Sequence, residues 1–257
     1  MSFANKTALI TGGNGGIGFA AARILIAQGA RVAITGRDQK KLDEAAAELG
    51  PNALPIRADL DDPAAIDEVM KVIADKFGKL DIVFANAGVS GATPVGSTTA
   101  EKFEAIMRTN VTAVFLTVQA AVPLMGEGGS IVLNGSVMRQ LGAPGSSAYS
   151  ASKAAISGMA RVLASELVTR GIRVNTVIPG GTRTSIWTRG DREGATLDAT
   201  ETALSPMIPM GRFALAEEVA QAAVFLASDA ASGMTAAEIV VDGGNTGAPM
   251  GTPAFRR

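Results

Sequence analysis

Short apolar runs alternate along this chain with longer amphipathic stretches. The apolar runs Ala8–Thr11, Arg31–Thr35, Ala53–Ile56, Leu80–Ala85, Ser130–Leu133, Arg173–Ile178 and Glu238–Val241 predict strands. Between them, recurrence at helical spacing predicts helices over Gly16–Ala27, Gln39–Leu49, Pro63–Phe77, Thr99–Met125 (with a break inside it), Tyr149–Arg170 and Ala216–Ser228. Several strands are apolar throughout rather than alternating, as in a parallel sheet covered on both faces. Alternating strands and helices joined by right-handed crossovers give a doubly wound α/β sheet. Ligands bind such a sheet outside the carboxyl ends of its strands. Two stretches break the rhythm: Val89–Thr98, rich in Gly, Ser, Thr and Pro, and Gly180–Phe213, which has little periodicity. A loop of the second length is usually functional, and a substrate lid over about 184–213 is expected.

Composition narrows the chemistry. The chain has 257 residues, no cysteine and no histidine. Thiolate nucleophiles, disulfides, His-dependent triads and His or Cys metal ligands are therefore excluded, and no metal site is expected. An acid–base enzyme built from this chain must move its proton through Tyr, Lys, Asp or Glu. Only one tyrosine is present, Tyr149. The formal net charge of −1 offers no electrostatic footprint for nucleic acid or an anionic membrane. Val111–Met125 carries Thr112, Thr117, Gln119 and Pro123 and is too short and polar to span a bilayer. The segment Met1–Lys6 lacks a basic region followed by an apolar stretch, so no signal peptide is expected. A cytoplasmic protein is the expectation.

The first strand runs into Thr11-Gly12-Gly13-Asn14-Gly15-Gly16-Ile17-Gly18, and an amphipathic helix follows. Glycines there permit tight turning and close approach of backbone to a pyrophosphate, and the helix N-terminus offers free N–H groups. A glycine-rich turn can also exist without a ligand; its place after an N-terminal strand favours dinucleotide binding. At the end of the second strand stands Thr35-Gly36-Arg37-Asp38. An acidic side chain there would bind the adenosine ribose of NAD. Gly36 instead leaves room for a phosphate, and the Arg37 guanidinium suits the 2′-phosphate of NADP. Asp38 can still turn toward a ribose, which keeps NAD open.

Tyr149 and Lys153 are four residues apart on one predicted helix and share a face. A phenol is a poor base at neutral pH. An adjacent ammonium favours the phenolate and creates an acid–base group without histidine. Ser136, thirteen residues earlier at a strand end, is placed to hold a substrate oxygen. Singly, each of these residues also reads as an ordinary packing, solvated or turn-forming side chain.

Together these motifs resemble the short-chain dehydrogenase/reductase family, over nearly the whole chain. Thr11-Gly12-x-x-x-Gly16-Ile17-Gly18 resembles its cofactor loop, and Ala58-Asp59-Leu60 its adenine-side segment. Asn86-Ala87-Gly88 resembles most of its Asn-Asn-Ala-Gly motif, and Val241-Asp242-Gly243-Gly244 its last strand and turn. Asn110, Ser136, Tyr149 and Lys153 match its catalytic tetrad, and Pro179-Gly180 with Thr184 match its nicotinamide segment.

The resemblance implies a single Rossmann-like domain over 1–257 with a seven-stranded parallel sheet. It implies that Tyr149 is the acid in carbonyl reduction and the base in alcohol oxidation, and that Ser136 orients the substrate oxygen. Lys153 would tune Tyr149 and hold the nicotinamide ribose, while Asn110 would hold a relay water. The cofactor would be held by Gly12, Asn14, Gly16, Ile17, Gly18, Arg37, Asp59, Leu60, Asn86, Gly88, Tyr149, Lys153, Pro179, Gly180, Thr182 and Thr184. A homotetramer through the helix beginning at Tyr149, with its Ala151, Ala154, Ala155, Gly158, Met159 and Val162, is also implied.

The chain departs from the family at Gly15, where a basic residue is frequent, and at Ala85, which replaces an Asn. Arg139 after the catalytic Ser is either a contact for an acidic substrate or a salt-bridged surface residue. The lid residues Ile186, Trp187, Leu197, Leu204, Met207 and Ile208 suit an apolar or aromatic ketone, or in the case of Trp187 an anchor for the lid. The Tyr–Lys spacing argues against the enoyl-reducing branch. The expected function is NADP-dependent interconversion of a small-molecule ketone and secondary alcohol, in the reducing direction. The rivals are an NAD-dependent alcohol dehydrogenase and a non-catalytic dinucleotide sensor.

Overall fold

The computed structural model describes residues 2–188 and 196–255. Seven strands form one parallel sheet: β1 (Thr7–Ile10), β2 (Arg31–Gly36), β3 (Ala53–Arg57), β4 (Leu80–Ala85), β5 (Met125–Asn134), β6 (Arg173–Pro179) and β7 (Glu238–Val241). Their order is β3-β2-β1-β4-β5-β6-β7, so the winding reverses between β1 and β4. That switch point is where such sheets open a ligand crevice.

The helices are α1 (Gly16–Ala27), α2 (Gln39–Leu49), α3 (Pro63–Phe77), α4 (Ala100–Met107), α5 (Ala113–Ala121), α6 (Ser147–Leu167), α7 (Leu197–Leu204) and α8 (Ala216–Ala227). Successive strand residues feed opposite layers. Ala8 and Ile10 join α1, α2 and α8 in one apolar cluster, while Leu9 joins α3, α5 and α6 in the other. Both faces are thus covered, which is why β1, β2 and β4 lack polar alternation. Asp38, Asp62 and Thr99 cap α2, α3 and α4 by accepting from Lys41, Ala64 and Lys102 backbone N–H groups.

The structure refines several expected boundaries. The helical pattern over 99–125 divides into α4, a π-turn at Arg108–Thr112, α5 and a 3₁₀ turn at Val122–Leu124. Met125 belongs to β5, which begins opposite Leu80 and then jumps register, so that Ile82 faces Ser130. The extra residues of Gly126–Gly129 bulge out of the pairing. The whole run Ala100–Leu124 has 25 residues and is, by length and composition alone, long enough to cross a membrane. This corrects the shorter span read from sequence; Val114, Val118 and Ala121 on it pack into the core. The last helix before β6 starts at Ser147 rather than Tyr149.

The described parts of Gly180–Phe213 hold more regular structure than its composition suggests. Its ends are tied by Arg183 N–H to Ala214 C=O (2.8 Å) and Ala214 N–H to Gly181 C=O (2.8 Å). It contains α7 and short turns at Ser185–Trp187 and Ser205–Met207. Part of the expected lid, 189–195, lies outside the described residues.

Candidate active site

The loop after β1 is built from close approaches. Gly12 has φ 65°, a region that disfavours side chains. A Cβ on Gly18 would stand 2.6 Å from both Asn86 Nδ2 and Gly12 O. Thr11 ties β1 to β4: its Oγ1 accepts from the backbone N–H groups of Asn86 and Ala87, both at 2.9 Å, while Asn86 Nδ2 donates to Thr11 O at 2.9 Å. Unlike α2, α3 and α4, α1 has no side-chain cap; Gly15 precedes it, and a Cβ there would meet nothing within 4 Å. The first N–H groups of α1 therefore face an open, bare surface suited to an anion. Thr184 closes the loop from the other side, its Cγ2 lying 3.1 Å from where a Gly16 Cβ would be. Ile17 packs its side chain toward the α1 layer of the core.

The adenosine end is more exposed. Arg37 is exposed at the end of β2, and Asp59 and Leu60 follow β3. Gly36 does not leave the space expected of it. A Cβ there would stand 2.6 Å from Asn14 Nδ2, so the Asn14 amide already covers Gly36. Asp38 is engaged in capping α2 and lies 3.9 Å from Lys41 Nζ.

Asn110 sits on the π-turn and is 1% exposed. π-Turns rearrange the local backbone and occur frequently at functional sites. Its Oδ1 accepts from Val89 N–H at 2.8 Å, and its Nδ2 donates to Val89 O and to Ser152 Oγ at 2.9 and 3.0 Å. Ser152 Oγ in turn donates to Tyr149 O at 2.7 Å. Gly88 lies against this group: a Cβ on it would be 3.2 Å from Asn110 Oδ1 and 3.6 Å from Lys153 Nζ. Ser136 follows β5 and accepts from Met138 N–H at 3.2 Å. The short turn Val137–Arg139 after it packs against α6, which carries Tyr149 and Lys153.

Lys153 is buried, and its Nζ lies 5.7 Å from the Tyr149 ring centroid. Burial pushes its ammonium down to about 8. Nζ donates to Asn134 O at 2.8 Å, and Asn134 Nδ2 donates to Asn86 Oδ1 at 2.9 Å. A continuous chain of bonds thus runs from Thr11 beside the glycine loop through Asn86 and Asn134 to Lys153. Asn134 and Ser152 were missed in the sequence; the only signal for Asn134 was an amide two residues before Ser136 at a strand end. Pro179 ends β6, Gly180 N–H donates to Val241 O at 2.9 Å, and Thr182 is buried beside them. All the residues read from the sequence therefore lie at the carboxyl edge of the sheet.

Two flanking residues turn elsewhere. Arg139 pairs with Glu238 at 2.8 Å, and Ser157 Oγ donates to the same carboxylate at 2.6 Å, so Arg139 is salt-bridged rather than aimed at a ligand. Burial alone would raise the Glu238 carboxyl, but the hydrogen bonds from Arg139 and Ser157 hold it below its ordinary value. Trp187 stacks on Phe213 at 5.1 Å between centroids and donates Nε1–H to Thr182 O at 2.9 Å, which ties together the two ends of the segment after β6. Arg183 adds ion pairs to Asp198 (2.7 Å) and Glu201. Ile208 is buried in the same excursion and Met207 is exposed, so these residues do not form one continuous apolar wall.

A doubly wound sheet with a bare helix N-terminus at its switch point, and Asn, Ser, Tyr and Lys grouped beside it, defines a dinucleotide-binding oxidoreductase. A family model described as enoyl-(acyl carrier protein) reductase matches residues 12–246. The oxidoreductase asL5 of Sarocladium schorii is 44% identical over 93% of this chain and 95% of its own. A 3α-hydroxysteroid dehydrogenase of Mediterraneibacter gnavus is 40% identical over 95% and 98%. A short-chain dehydrogenase of Burkholderia cenocepacia, crystallised in complex with NADP, superposes with TM-score 0.87 at 35% identity, covering 95% of this chain and 99% of that one. The chain belongs to the short-chain dehydrogenase/reductase family, and it is an oxidoreductase of that family.

Proposed function

We propose that this protein interconverts a ketone and a secondary alcohol with NADP(H), working as a carbonyl reductase. The observation that carries the reading is Lys153, buried beside Tyr149 and bonded through Asn134 and Asn86 to the loop after β1. The residues present fit the cofactor: the α1 N-terminus is uncapped and bare at Gly15, and Gly88 brings the chain within reach of Lys153. The Gly12–Gly18 loop would hold the pyrophosphate, Asp59 and Leu60 the adenine, Arg37 the 2′-phosphate, and Pro179, Gly180, Thr182 and Thr184 the nicotinamide. When bound, the nicotinamide supplies or accepts the hydride.

Tyr149 gives its proton to the substrate oxygen in reduction and takes it back in oxidation. Ser136 holds that oxygen in place. Lys153 supplies positive charge beside Tyr149 and reaches the cofactor ribose. Both Nδ2 donors of Asn110 are taken by Val89 O and Ser152 Oγ, so a relay water would be held by the second lone pair of Oδ1 or by the main chain. Without histidine, this is the acid–base route the chain offers. The described parts of the expected lid over 184–213, held by Trp187, would border a small-molecule ketone. The outer face of α6, with Ala151, Ala154 and Val162 exposed, is consistent with a homotetramer formed through this helix.

Fluorescence titration with NADPH and NADH, followed by a carbonyl panel with the tighter cofactor, tests the reading. Tighter NADPH binding and turnover of ketones support it. NADH preference favours an NAD-dependent alcohol dehydrogenase, and binding without turnover a sensor.

A further inference from the structure

β2 and β3 end side by side, and Gly36 is the register partner of Arg57. Partners in parallel strands project from the same face of the sheet. The face in question is the one on which Asn14 covers Gly36, the side of the glycine loop. Arg57 is exposed there, and its Nε donates to Arg37 O at 3.1 Å. That bond holds the Arg57 stem against the turn between β2 and α2 and leaves its terminal nitrogens to solvent. Among the described residues, neither Arg37 nor Arg57 enters an ion pair, whereas Arg23, Arg139, Arg183 and Arg212 do. Of the neighbouring carboxylates, Asp38 caps α2 and faces Lys41, and Asp59 accepts from Asp61 N–H. Lys40, the other nearby cation, lies 3.9 Å from Glu44. Arg37 and Arg57 thus share the turn after β2, both exposed and neither in an ion pair, and with the Asn14 amide over Gly36 they offer a donor set for a dianionic phosphate.

We propose that Arg57 is a second cation for the 2′-phosphate of NADP(H), acting with Arg37. It takes the part that a basic residue at Gly15 does not play in this chain. The inference rests on the NADP reading, and it names a specificity residue on the edge strand that the sequence pattern did not single out.

The test is isothermal titration of the full-length protein with adenosine 2′,5′-bisphosphate and with 5′-AMP, which differ only in the 2′-phosphate. Wild type is compared with Arg57→Gln, Arg57→Lys and Arg37→Gln. The proposal expects wild type to favour the bisphosphate, and Arg57→Gln to lower that preference about tenfold with 5′-AMP affinity unchanged. Arg57→Lys should restore part of it, and the preference should weaken with added salt. An unchanged preference in Arg57→Gln, with loss in Arg37→Gln, overturns the role of Arg57 and leaves the NADP reading standing. Equal loss of both ligands in Arg57→Gln assigns it to holding the turn and also overturns the proposal. A wild type that binds both ligands equally contradicts the NADP reading itself, and this inference with it.

Discussion

Lys153 Nζ donates to the backbone carbonyl of Asn134 at 2.8 Å, so the buried ammonium is held by β5 rather than by an acidic side chain. Desolvation without a carboxylate partner is what lowers its affinity for a proton.

That lowering has a stability consequence. Below pH 8 Lys153 is charged in the folded and the unfolded chain, and burying the charge costs stability. Between about 8 and 10.5 the folded chain releases the proton while the unfolded chain keeps it, so stability rises with pH across that window. Lys153→Met removes the contribution. The difference in unfolding free energy between the cofactor-free variant and wild type should shrink by about 3 kcal/mol from pH 7 to pH 10.5. A constant difference in denaturant melts over that range would contradict the burial account.

Asn134 should matter through its side chain as well. Asn134→Ala removes the 2.9 Å bond to Asn86 Oδ1 and leaves a partly buried acceptor short of a partner. A loss of about 1–3 kcal/mol in chemical denaturation is expected, with kcat lowered more than KM is raised. Wild-type kcat in this variant would sever Asn134 from the function of Lys153.

The segment after β6 should depend on Trp187. Trp187→Ala removes the stack on Phe213 and the bond to Thr182 O. These contribute about 0.5–1.5 and about 1 kcal/mol, which corresponds to a drop in Tm of roughly 4–8 °C. Because Thr182 and Thr184 lie in the same segment against the glycine loop, kcat/KM should fall about tenfold. Trp187→Phe, which keeps a ring, should lie between the two. Unchanged kcat/KM in Trp187→Ala would exclude this tie from the working of the site.

Cofactor preference should respond fully to position 36 only when Asn14 makes way. Gly36→Asp alone must turn the Asn14 amide aside, so it should weaken NADPH and gain less for NADH than the double variant. Gly36→Asp with Asn14→Ala opens the place for a carboxylate, which repels the phosphate and accepts from the ribose hydroxyls. The ratio of kcat/KM values should then shift toward NADH by roughly 10- to 100-fold. A full reversal by Gly36→Asp alone would mean that Asn14 offers no resistance.

The strands and most helices were legible because burial on both faces imposes continuous apolar runs and helix packing imposes a 3.6-residue period. The spacing put Tyr149 and Lys153 on one helix, which α6 is, while their catalytic role was implied by the family resemblance. What escaped depends on pairing between distant segments. The role of Asn134 arises from β5 lying beside β4, and that of Arg57 from its register with Gly36. Trp187 finds Phe213 only after the chain has passed through α7. The covering of Gly36 by Asn14 likewise follows from the path of the loop over β2, so glycine at 36 looked like open space. Met125 belonged equally to an apolar helix end and a strand start, and the register jump at Leu80 and Ile82 decided for the strand.

The central claim is that Tyr149 is the acid–base group of a ketone–alcohol oxidoreductase, and Tyr149→Phe tests it most directly. The substitution removes one oxygen and keeps the ring beside Lys153. NADPH affinity and the fold should be retained while kcat falls by about two orders of magnitude or more. Turnover within about threefold of wild type would contradict the account, because a chain without histidine or cysteine would then need a carboxylate for the proton.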